Sequence, residues 1–461
     1  MFRQLFTCKP IDGHKREGEL HRTLTTFDLT LMGIGAIIGA GVFVLTGLVA
    51  ATKAGPAVVI SYAVAGLASL FAALAYAELA ASIGGTGSAY SYAYSGFGEL
   101  VAWIIGWNLL LEYIAAVSTV AIGWSGYVMS LLQSLGMSLP TFLHDSPFTQ
   151  GGFVNLPAVL VILFLTWLLC LDVRQGARFN FAIVIVKLLT IFFFISVAAF
   201  NVKPSNWSPF FPFGFEGVID GAAIVFFAYI GFDALSTAVE EAIEPQRSVP
   251  RGILFSLLLC TAIYITVAAL LTGIEPYTLL SLESPVADAL LKLGYRFAGG
   301  LIAAGAVAGL TSVMFVMFYG ASRIVLAMSR DGLLPHRLSL IAGKSRTPNT
   351  IIIVLGVLMA VLAGFLPINE VAEMVNIGTL AAFAFVCAGV TVFRYRQPEL
   401  ARPFKLPYDP LIPILGTTSC IYLMLHLATF TWWRFLVWTI LGLIVYFIYG
   451  IRHSMLRSSG N

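Results

Sequence analysis

Twelve apolar runs, each long enough to cross a bilayer, follow one another along this chain and leave few folds open to it. A hydrocarbon layer of roughly 30 Å takes about 20 residues of helix, and backbone groups inside it must bond internally. We number the runs as spans one to twelve: 27–50, 57–82, 100–132, 156–171, 179–200, 218–240, 252–273, 298–328, 350–366, 370–393, 412–430 and 435–451. Because 59% of the 461 residues are apolar and 11% are charged, the sequence predicts an all-α integral membrane protein.

Two of these spans contain an apolar segment that glycine is predicted to interrupt, 33–41 in span one and 226–233, around Gly231, in span six. A helix interrupted within lipid leaves N–H and C=O groups without partners, so such breaks persist where they line a binding site. For any single glycine the alternative is close helix packing. Four glycines in nine residues, with a second break at the matching position of the other half, favour unwinding.

The positive charges indicate the orientation of the spans. Twenty of the 26 Lys and Arg fall on the side of the termini and five on the other side, and Lys187 lies inside span five. The sequence therefore predicts a multi-pass protein of the cell membrane with both termini cytoplasmic and, because its first 25 residues lack an apolar core, no cleaved signal peptide. The predicted units are 1–26 (cytoplasmic), 27–200 (first five-helix repeat), 217–394 (inverted second repeat), 411–451 (two peripheral helices) and 452–461 (cytoplasmic tail).

The breaks predict a site for a zwitterion. In span one, the amides near Ala40 and Gly41 begin the resumed half-helix, whose dipole favours a carboxylate. In span six, the carbonyls of Phe227, Ala228 and Ile230 lack helical donors and suit an ammonium group. Together the two breaks would select an amino acid by its head group.

Three ionisable residues lie deep in the spans, where each costs about 2.5 to 3.5 kcal/mol on insertion scales. Lys187 is a candidate carrier of a coupling proton, because a buried lysine can release its proton; the alternative is a fixed cation bonded to helix carbonyls. Glu112 in span three either faces the site or pairs internally. Asp233 follows the second break and is either a helix cap or a ligand.

Other polar features carry weaker signals. Glu78 near the end of span two, and Glu240, Glu241 and Glu244 near that of span six, fit a solvated face, with gating salt bridges as the alternative. The stretch 84–92 has glycines and hydroxyls but no preceding strand or Walker lysine, so we interpret it as an internal loop or gate. The scattered cysteines and histidines predict packing residues and no metal site.

Several motifs occur in register along almost the whole chain: 33–43, Tyr-Ala-Glu-Leu at 76–79, Gly-Ser-Ala-Tyr at 87–90, Gly-Trp at 106–107, Leu-Glu-Tyr at 111–113, 226–236, and Ser-Arg-Asp-Gly-Leu-Leu-Pro at 329–335. In this order they resemble amino acid permeases of the APC superfamily, most closely the bacterial homologues of the cationic amino acid transporters. The resemblance implies a LeuT-type fold. Spans one to ten would form a 5+5 inverted repeat with broken helices one and six, and spans eleven and twelve would be peripheral.

The resemblance also assigns roles. In similar transporters, amides of the first unwound segment bind the substrate carboxylate, and break carbonyls bind its amine; the matching residues here are Ala40 and Gly41 for the former and Ile37, Phe227, Ala228 and Ile230 for the latter. Phe227 would be the gate over the substrate. A lysine in span five of proton-coupled members takes the place of the sodium of other LeuT-type proteins, and Lys187 matches it.

Two departures from the family pattern concern the side-chain pocket. Ala40 stands where relatives often have threonine, which removes a hydroxyl. Span eight is bulky around Phe318, and this bulk would shorten the pocket available to an arginine-sized side chain. Glu112 is the main argument for a cationic substrate.

These features predict a secondary active transporter that imports small neutral and/or cationic L-amino acids by proton-coupled symport with alternating access. No cofactor is expected, and the coupling ion would be H⁺ and not Na⁺. The alternative is an amino acid exchanger of the same fold; no enzyme motif or channel filter is evident. The expected partners are the substrate and the lipid bilayer, without nucleic acid, and a small single-span membrane partner is left open.

Overall fold

The computed structural model describes residues 5–10, 24–83, 88–171, 173–280, 284–294, 296–339 and 348–458. This part of the chain is helical, with one isolated β-bridge between Leu24 and Ala242. Eight of its helices are long and apolar enough to cross a membrane, and four shorter apolar helices accompany them. The predicted all-α membrane fold is confirmed. Much of the predicted N-terminal segment, the end of the tail and the loop residues 84–87 lie outside the described residues.

Each predicted span coincides with helical residues. The bounds are Thr26–Ile37, Gly41–Leu45, Thr46–Val49 and Ala50–Ala54 for span one, Val58–Ser82 for two, Glu99–Ser134 for three, Leu156–Leu171 for four, Val173–Ala199 for five, Gly214–Val225, Phe226–Tyr229 and Phe232–Glu241 for six, Pro245–Ile274 for seven, Arg296–Arg330 for eight, Asn349–Phe365 for nine, Ile368–Arg396 for ten, Leu411–Leu425 for eleven and Thr429–Val445 for twelve. Two short helices that the sequence did not predict, Ala89–Gly96 and Pro285–Lys292, join spans two to three and seven to eight.

Span one is broken where the glycines predict. It begins at a capping box, in which the Thr25 hydroxyl accepts from the Asp28 amide and the Asp28 carboxylate accepts from the Thr25 amide. The α-helix ends at Ile37, and Ile38 is extended. The chain then resumes as a π-helical turn at Gly41–Leu45.

Span six is broken at the matching position. Its α-helix passes into a 3₁₀ turn at Phe226–Tyr229, Ile230 is extended, and Gly231 has φ +118°. The chain continues as a 3₁₀ helix over Phe232–Glu241. A non-glycine residue would be strained at Gly231, because side chains rarely adopt that φ.

The two breaks pack directly against each other through glycine. A Cβ built on Gly41 would lie 2.3 Å from the Cα of Ala228, which is too close for two carbon atoms. A Cβ on Gly231 would lie 2.8 Å from the carbonyl oxygen of Ala36. Backbone therefore contacts backbone where spans one and six cross, and no side chain separates the two breaks.

The other spans surround this crossing unequally. Span three packs along span eight, and span two packs along span seven. Span twelve lies outside them, joined to span three by stacked rings of Trp107 and Trp438 4.7 Å apart. Span three buries 78% of its apolar window inside the protein and span twelve only 22%, so most of span twelve is left for lipid.

Candidate functional site

A small cavity lies where the two breaks meet spans three and eight. The breaks contribute Ala36, Ile37, Gly39, Ala40, Gly41, Phe227 and Ile230; spans three and eight contribute Ala116, Val120, Val313 and Met317. Its volume of about 10 Å³ is room for about one water molecule. The protein is therefore closed around this point, and an amino acid would need the walls to move apart.

The predicted substrate-binding residues divide into two groups by position. Ile37, Ala40, Gly41, Phe227 and Ile230 line the cavity. Their predicted role in binding the head group stays a prediction, but the structure brings all five to one place. The other four predicted residues, Ala228, Glu112, Asp233 and Phe318, are buried outside the cavity lining.

Span eight faces the cavity with residues other than the predicted one. Val313 and Met317 line it, whereas Phe318 is fully buried elsewhere. The four-residue spacing of Val313 and Met317 places both on one helix face, and Ala116 and Val120 repeat that spacing on span three. Hydropathy identifies such a helix but not its rotation, which is why the sequence pointed to Phe318.

The carbonyls of the breaks already have donors in this closed conformation. The Tyr264 hydroxyl lies 2.9 Å from the Ile37 carbonyl oxygen and 2.8 Å from that of Ala228, so one hydroxyl bridges the two breaks. The Phe227 carbonyl accepts from the Ile230 amide at 3.2 Å. An incoming ammonium group would share or replace these donors. Tyr264 was not predicted from the sequence, where it is simply a tyrosine inside an apolar span.

Further polar side chains satisfy backbone groups that the breaks expose. Tyr62 donates to the Gly41 carbonyl at 2.7 Å, and Tyr127 donates to that of Phe43 at 2.5 Å. In span six, the Asn376 amide donates to the carbonyls of Ala223 and Ile224 at 2.8 and 3.0 Å. These bonds supply partners to carbonyls that a regular helix would satisfy internally. Tyr62, Tyr127 and Asn376 were not predicted from the sequence.

Lys187 reaches the first break. Its side chain is fully buried and donates to the carbonyls of Gly35 at 2.6 Å and Ile38 at 2.9 Å, and to the Ser312 hydroxyl at 3.2 Å. In the described part of the chain, no acidic side chain forms an ion pair with it. A buried ammonium held only by neutral acceptors is costly, and three good acceptors are what make it tolerable.

The two predicted carboxylates have opposite surroundings. Asp233 accepts from the Tyr113 hydroxyl at 2.9 Å and from the Gly231 amide at 3.2 Å, in the first turn of the resumed helix. These two bonds hold the carboxyl group within the break, and its role as a helix cap or a ligand stays a prediction. Glu112 is fully buried, and neither of its oxygens has a hydrogen-bond partner in the described part of the chain. Glu112 lies beside Gly378 of span ten: a Cβ built on Gly378 would lie 3.9 Å from the Cβ of Glu112.

The interpretation of Glu78 as part of a solvated face is wrong. Glu78 is 1% exposed and accepts from Arg394 Nε at 3.0 Å, from Arg394 Nη2 at 2.5 Å and from the Leu406 amide at 2.8 Å. Its partners lie at the end of span ten and beyond, so the pair ties span two to that segment. Glu244 is exposed, 3.8 Å from Arg247. The side chains of Glu240 and Glu241 lie outside the described residues.

Comparison with known proteins agrees with this architecture. The family model described as amino acid permease matches residues 24–449. The chain is 49% identical to the branched-chain amino acid permease of Bacillus subtilis (strain 168), over 96% of each protein. It is 45% identical to the methylthioribose transporter of the same organism, over 98% of this chain and 99% of that protein. It is 32% identical to human cationic amino acid transporter 4, over 98% and 90%.

The family match spans both broken helices and the cavity between them, and the relatives cover nearly the whole chain. These proteins are permeases and transporters and not enzymes. The chain belongs to the amino acid permease family of the APC superfamily.

Proposed function

We propose that the protein imports neutral aliphatic L-amino acids by proton-coupled symport, with alternating access around the cavity between spans one and six. The five-helix repeats, 27–200 and 217–394, would rock about this point, with both termini in the cytoplasm. Amino acid transport itself follows from the family; the substrate class, the coupling ion and the orientation are the proposal.

The lining of the cavity supports an aliphatic substrate. Beyond the break residues, the walls come from Ala116, Val120, Val313 and Met317, none of which carries a charge or a hydrogen-bonding group. An arginine or lysine side chain placed against them would lose its hydration without gaining a partner. A branched aliphatic side chain would bury apolar surface at no such cost. A branched-chain permease is among the proteins most similar to this chain.

The backbone of the breaks supports an amino acid head group. The N–H groups near Ala40 and Gly41 begin a new helical segment beside the cavity and suit a carboxylate. Across the cavity, the carbonyls of Phe227 and Ile230 offer acceptors for an ammonium group. Carboxylate and ammonium would therefore bind opposite breaks, and both would be needed to hold the breaks in one arrangement.

Proton coupling is the role we propose for Lys187. Two of its three acceptors are carbonyls of the first break, so its charge is stabilised only while the break keeps its present shape. Movement of span one during the transport cycle would withdraw these acceptors, and the ammonium would then release its proton to water. Because each step needs the other, proton movement and the movement of span one become coupled. No cofactor enters this mechanism.

The test is uptake by the full-length protein in proteoliposomes. We expect an inward proton gradient to drive accumulation of leucine, isoleucine and valine without sodium. Arginine and methylthioribose belong in the same panel, since relatives of the chain are named for cationic amino acids and for methylthioribose. Accumulation that required sodium would rule out the proposed ion.

Lys187→Ala separates symport from exchange. We expect the variant to lose proton-driven accumulation and to keep counterflow of substrate across liposomes without a gradient. Lys203→Ala, at an exposed lysine between spans five and six, is the matched control and should behave as wild type. If wild-type protein takes up substrate only when substrate is preloaded inside, the protein is an exchanger instead.

A further inference from the structure

We propose that Glu112 and Asp233 form a second proton-binding site, in which one proton resides on the Glu112 carboxyl group when the protein is closed. This inference rests on the proposed function for its place in transport, where it would add a proton-binding group to Lys187. The site itself is argued from the surroundings of the two carboxyl groups.

Glu112 has the burial of an interior side chain and none of the partners that an ionised one requires. Its relative exposure is 0%, and both oxygens are without a donor among the described residues. The Thr379 hydroxyl of span ten lies close enough to Glu112 to interact with it, but its proton is directed to the Val375 carbonyl at 3.0 Å. A buried carboxylate without a single hydrogen bond is far more costly than a buried carboxylic acid.

Asp233 holds the negative charge of the pair. It receives the Tyr113 hydroxyl and the Gly231 amide, and it stands at the N-terminal end of a helix, where the dipole favours an anion. Three favourable contacts on one carboxyl group and none on the other mean that the two are not equivalent. A single proton shared within the pair therefore belongs on Glu112.

The groups around Glu112 leave no cation to replace this proton. Its titratable neighbours are Asp233 of span six, Tyr76 of span two and Tyr113 of its own span. No lysine, arginine or histidine of the described chain is paired with it. Two buried carboxylates that are close enough to interact, with no cation paired to Glu112 among the described residues, cannot both remain ionised at low cost.

Two further orphan atoms lie around the same pair. Asn108 is 5% exposed and precedes Glu112 by one helical turn, so both occupy one face of span three; within the described residues, its Oδ1 has no donor. The Tyr76 hydroxyl is also fully buried, and it too has no partner in that part of the chain. A protonated Glu112 supplies an O–H donor to an acceptor such as the Asn108 Oδ1, which an ionised Glu112 could not do. The proton comes from water and forms one O–H bond on the carboxyl group.

Infrared spectroscopy of the purified full-length protein tests the site directly. We expect wild-type protein at neutral pH to show a carboxylic-acid C=O band that Glu112→Gln lacks. Asp288→Asn is the matched control, because the Asp288 carboxylate already has donors: it accepts from the hydroxyls of Ser130 and Ser284 at 3.0 and 2.9 Å. Its substitution should leave the band in place. A band that survives in Glu112→Gln overturns the assignment.

Isotope labelling makes the test independent of any variant that fails to fold. In wild-type protein grown with glutamate labelled by ¹³C at the side-chain carboxyl, the band should shift to lower frequency. Labelling of aspartate should leave it unchanged. An unshifted band refutes the proposal. These measurements need no substrate, so they stand or fall apart from the identity of the transported amino acid and from the Lys187 mechanism.

Discussion

The two breaks are satisfied by different chemistry. The carbonyls at the break in span one (the first break) accept from the ionisable Lys187 as well as from tyrosines. The carbonyls at the break in span six (the sixth break) accept from Tyr264 and Asn376, which stay neutral at physiological pH. Loss of one proton can therefore change the number of donors at the first break and leave the sixth as it is. The difference makes span one the element that responds to a proton.

The backbone geometry of the breaks differs in the same sense. The sixth is fixed by Gly231 at φ +118°, with the Asp233 carboxylate accepting from the Gly231 amide. The first needs no positive φ: Ile38 is extended, and Ala40 is already helical at φ −56°. The conformation of the sixth break is thus fixed by the backbone, whereas that of the first is held by side-chain hydrogen bonds that can break. The pair would combine a fixed half of the head-group site with a movable half.

The largest expected effect follows from filling the space at Gly231. Gly231→Ala adds a Cβ 2.8 Å from the Ala36 carbonyl oxygen, in a backbone conformation that alanine rarely adopts. Strain and overlap together should cost about 2 kcal/mol or more and reduce transport on the order of 30-fold. Thermal unfolding in detergent and counterflow measure the two effects. If the substitution is tolerated, the sixth break is not fixed as described.

Gly214→Ala is the control for this change. Gly214 has φ +70° but nothing within 4 Å of a built Cβ. The substitution therefore introduces backbone strain at a positive φ without overlap, outside the breaks. Its transport activity should exceed that of Gly231→Ala by several-fold.

A smaller effect is expected from Tyr264→Phe, which removes the hydroxyl shared between the Ile37 and Ala228 carbonyls. Because Ala228 and Ile37 lie on opposite breaks, both breaks lose a donor together. A loss of about 1.4 kcal/mol corresponds to roughly a tenfold decrease. It should appear equally in proton-driven uptake and in counterflow, since no proton is involved. Tyr422→Phe, at a half-exposed ring of span eleven, is the control. A decrease confined to proton-driven uptake would contradict the division between the breaks.

The positions of the breaks could be predicted from the sequence because the signal is local. Four glycines within 33–41, and Gly231 within an apolar run, indicate directly that the helix is interrupted there. Four cavity residues on these segments followed from the same pattern, and Ile37 followed from the family resemblance; the four are Ala40, Gly41, Phe227 and Ile230. Long-range pairing has no such signal. Glu78 and Arg394 are 316 residues apart, and only the packing of span two against span ten reveals that their charges neutralise each other.

The rotation of each helix about its own axis was the second property that the sequence did not predict. Met317 and Phe318 are neighbours in a span that is apolar on every side, and hydropathy gives them equal weight. In a soluble helix, the polar face would have fixed the rotation, but lipid and protein interior are both apolar. Tyr264 and Asn376 were not predicted from the sequence for a related reason. Their partners are carbonyls freed by breaks in other spans, so their role exists only once the helices are assembled.

The smallest expected effect tests the first break alone. Ser312→Ala removes one of the three acceptors of Lys187, a hydroxyl at 3.2 Å, and leaves the two break carbonyls in place. A lost hydrogen bond of about 1 kcal/mol should lower proton-driven uptake roughly fivefold. Counterflow should stay near the wild-type rate, because the head-group site is untouched. Ser419→Ala in span eleven, whose hydroxyl donates to the Gly416 carbonyl of its own helix, is the matched control. Equal losses in proton-driven uptake and in counterflow would mean that Ser312 stabilises the cavity and does not act in proton coupling. The first break would then differ from the sixth in its hydrogen-bond partners but not in its function.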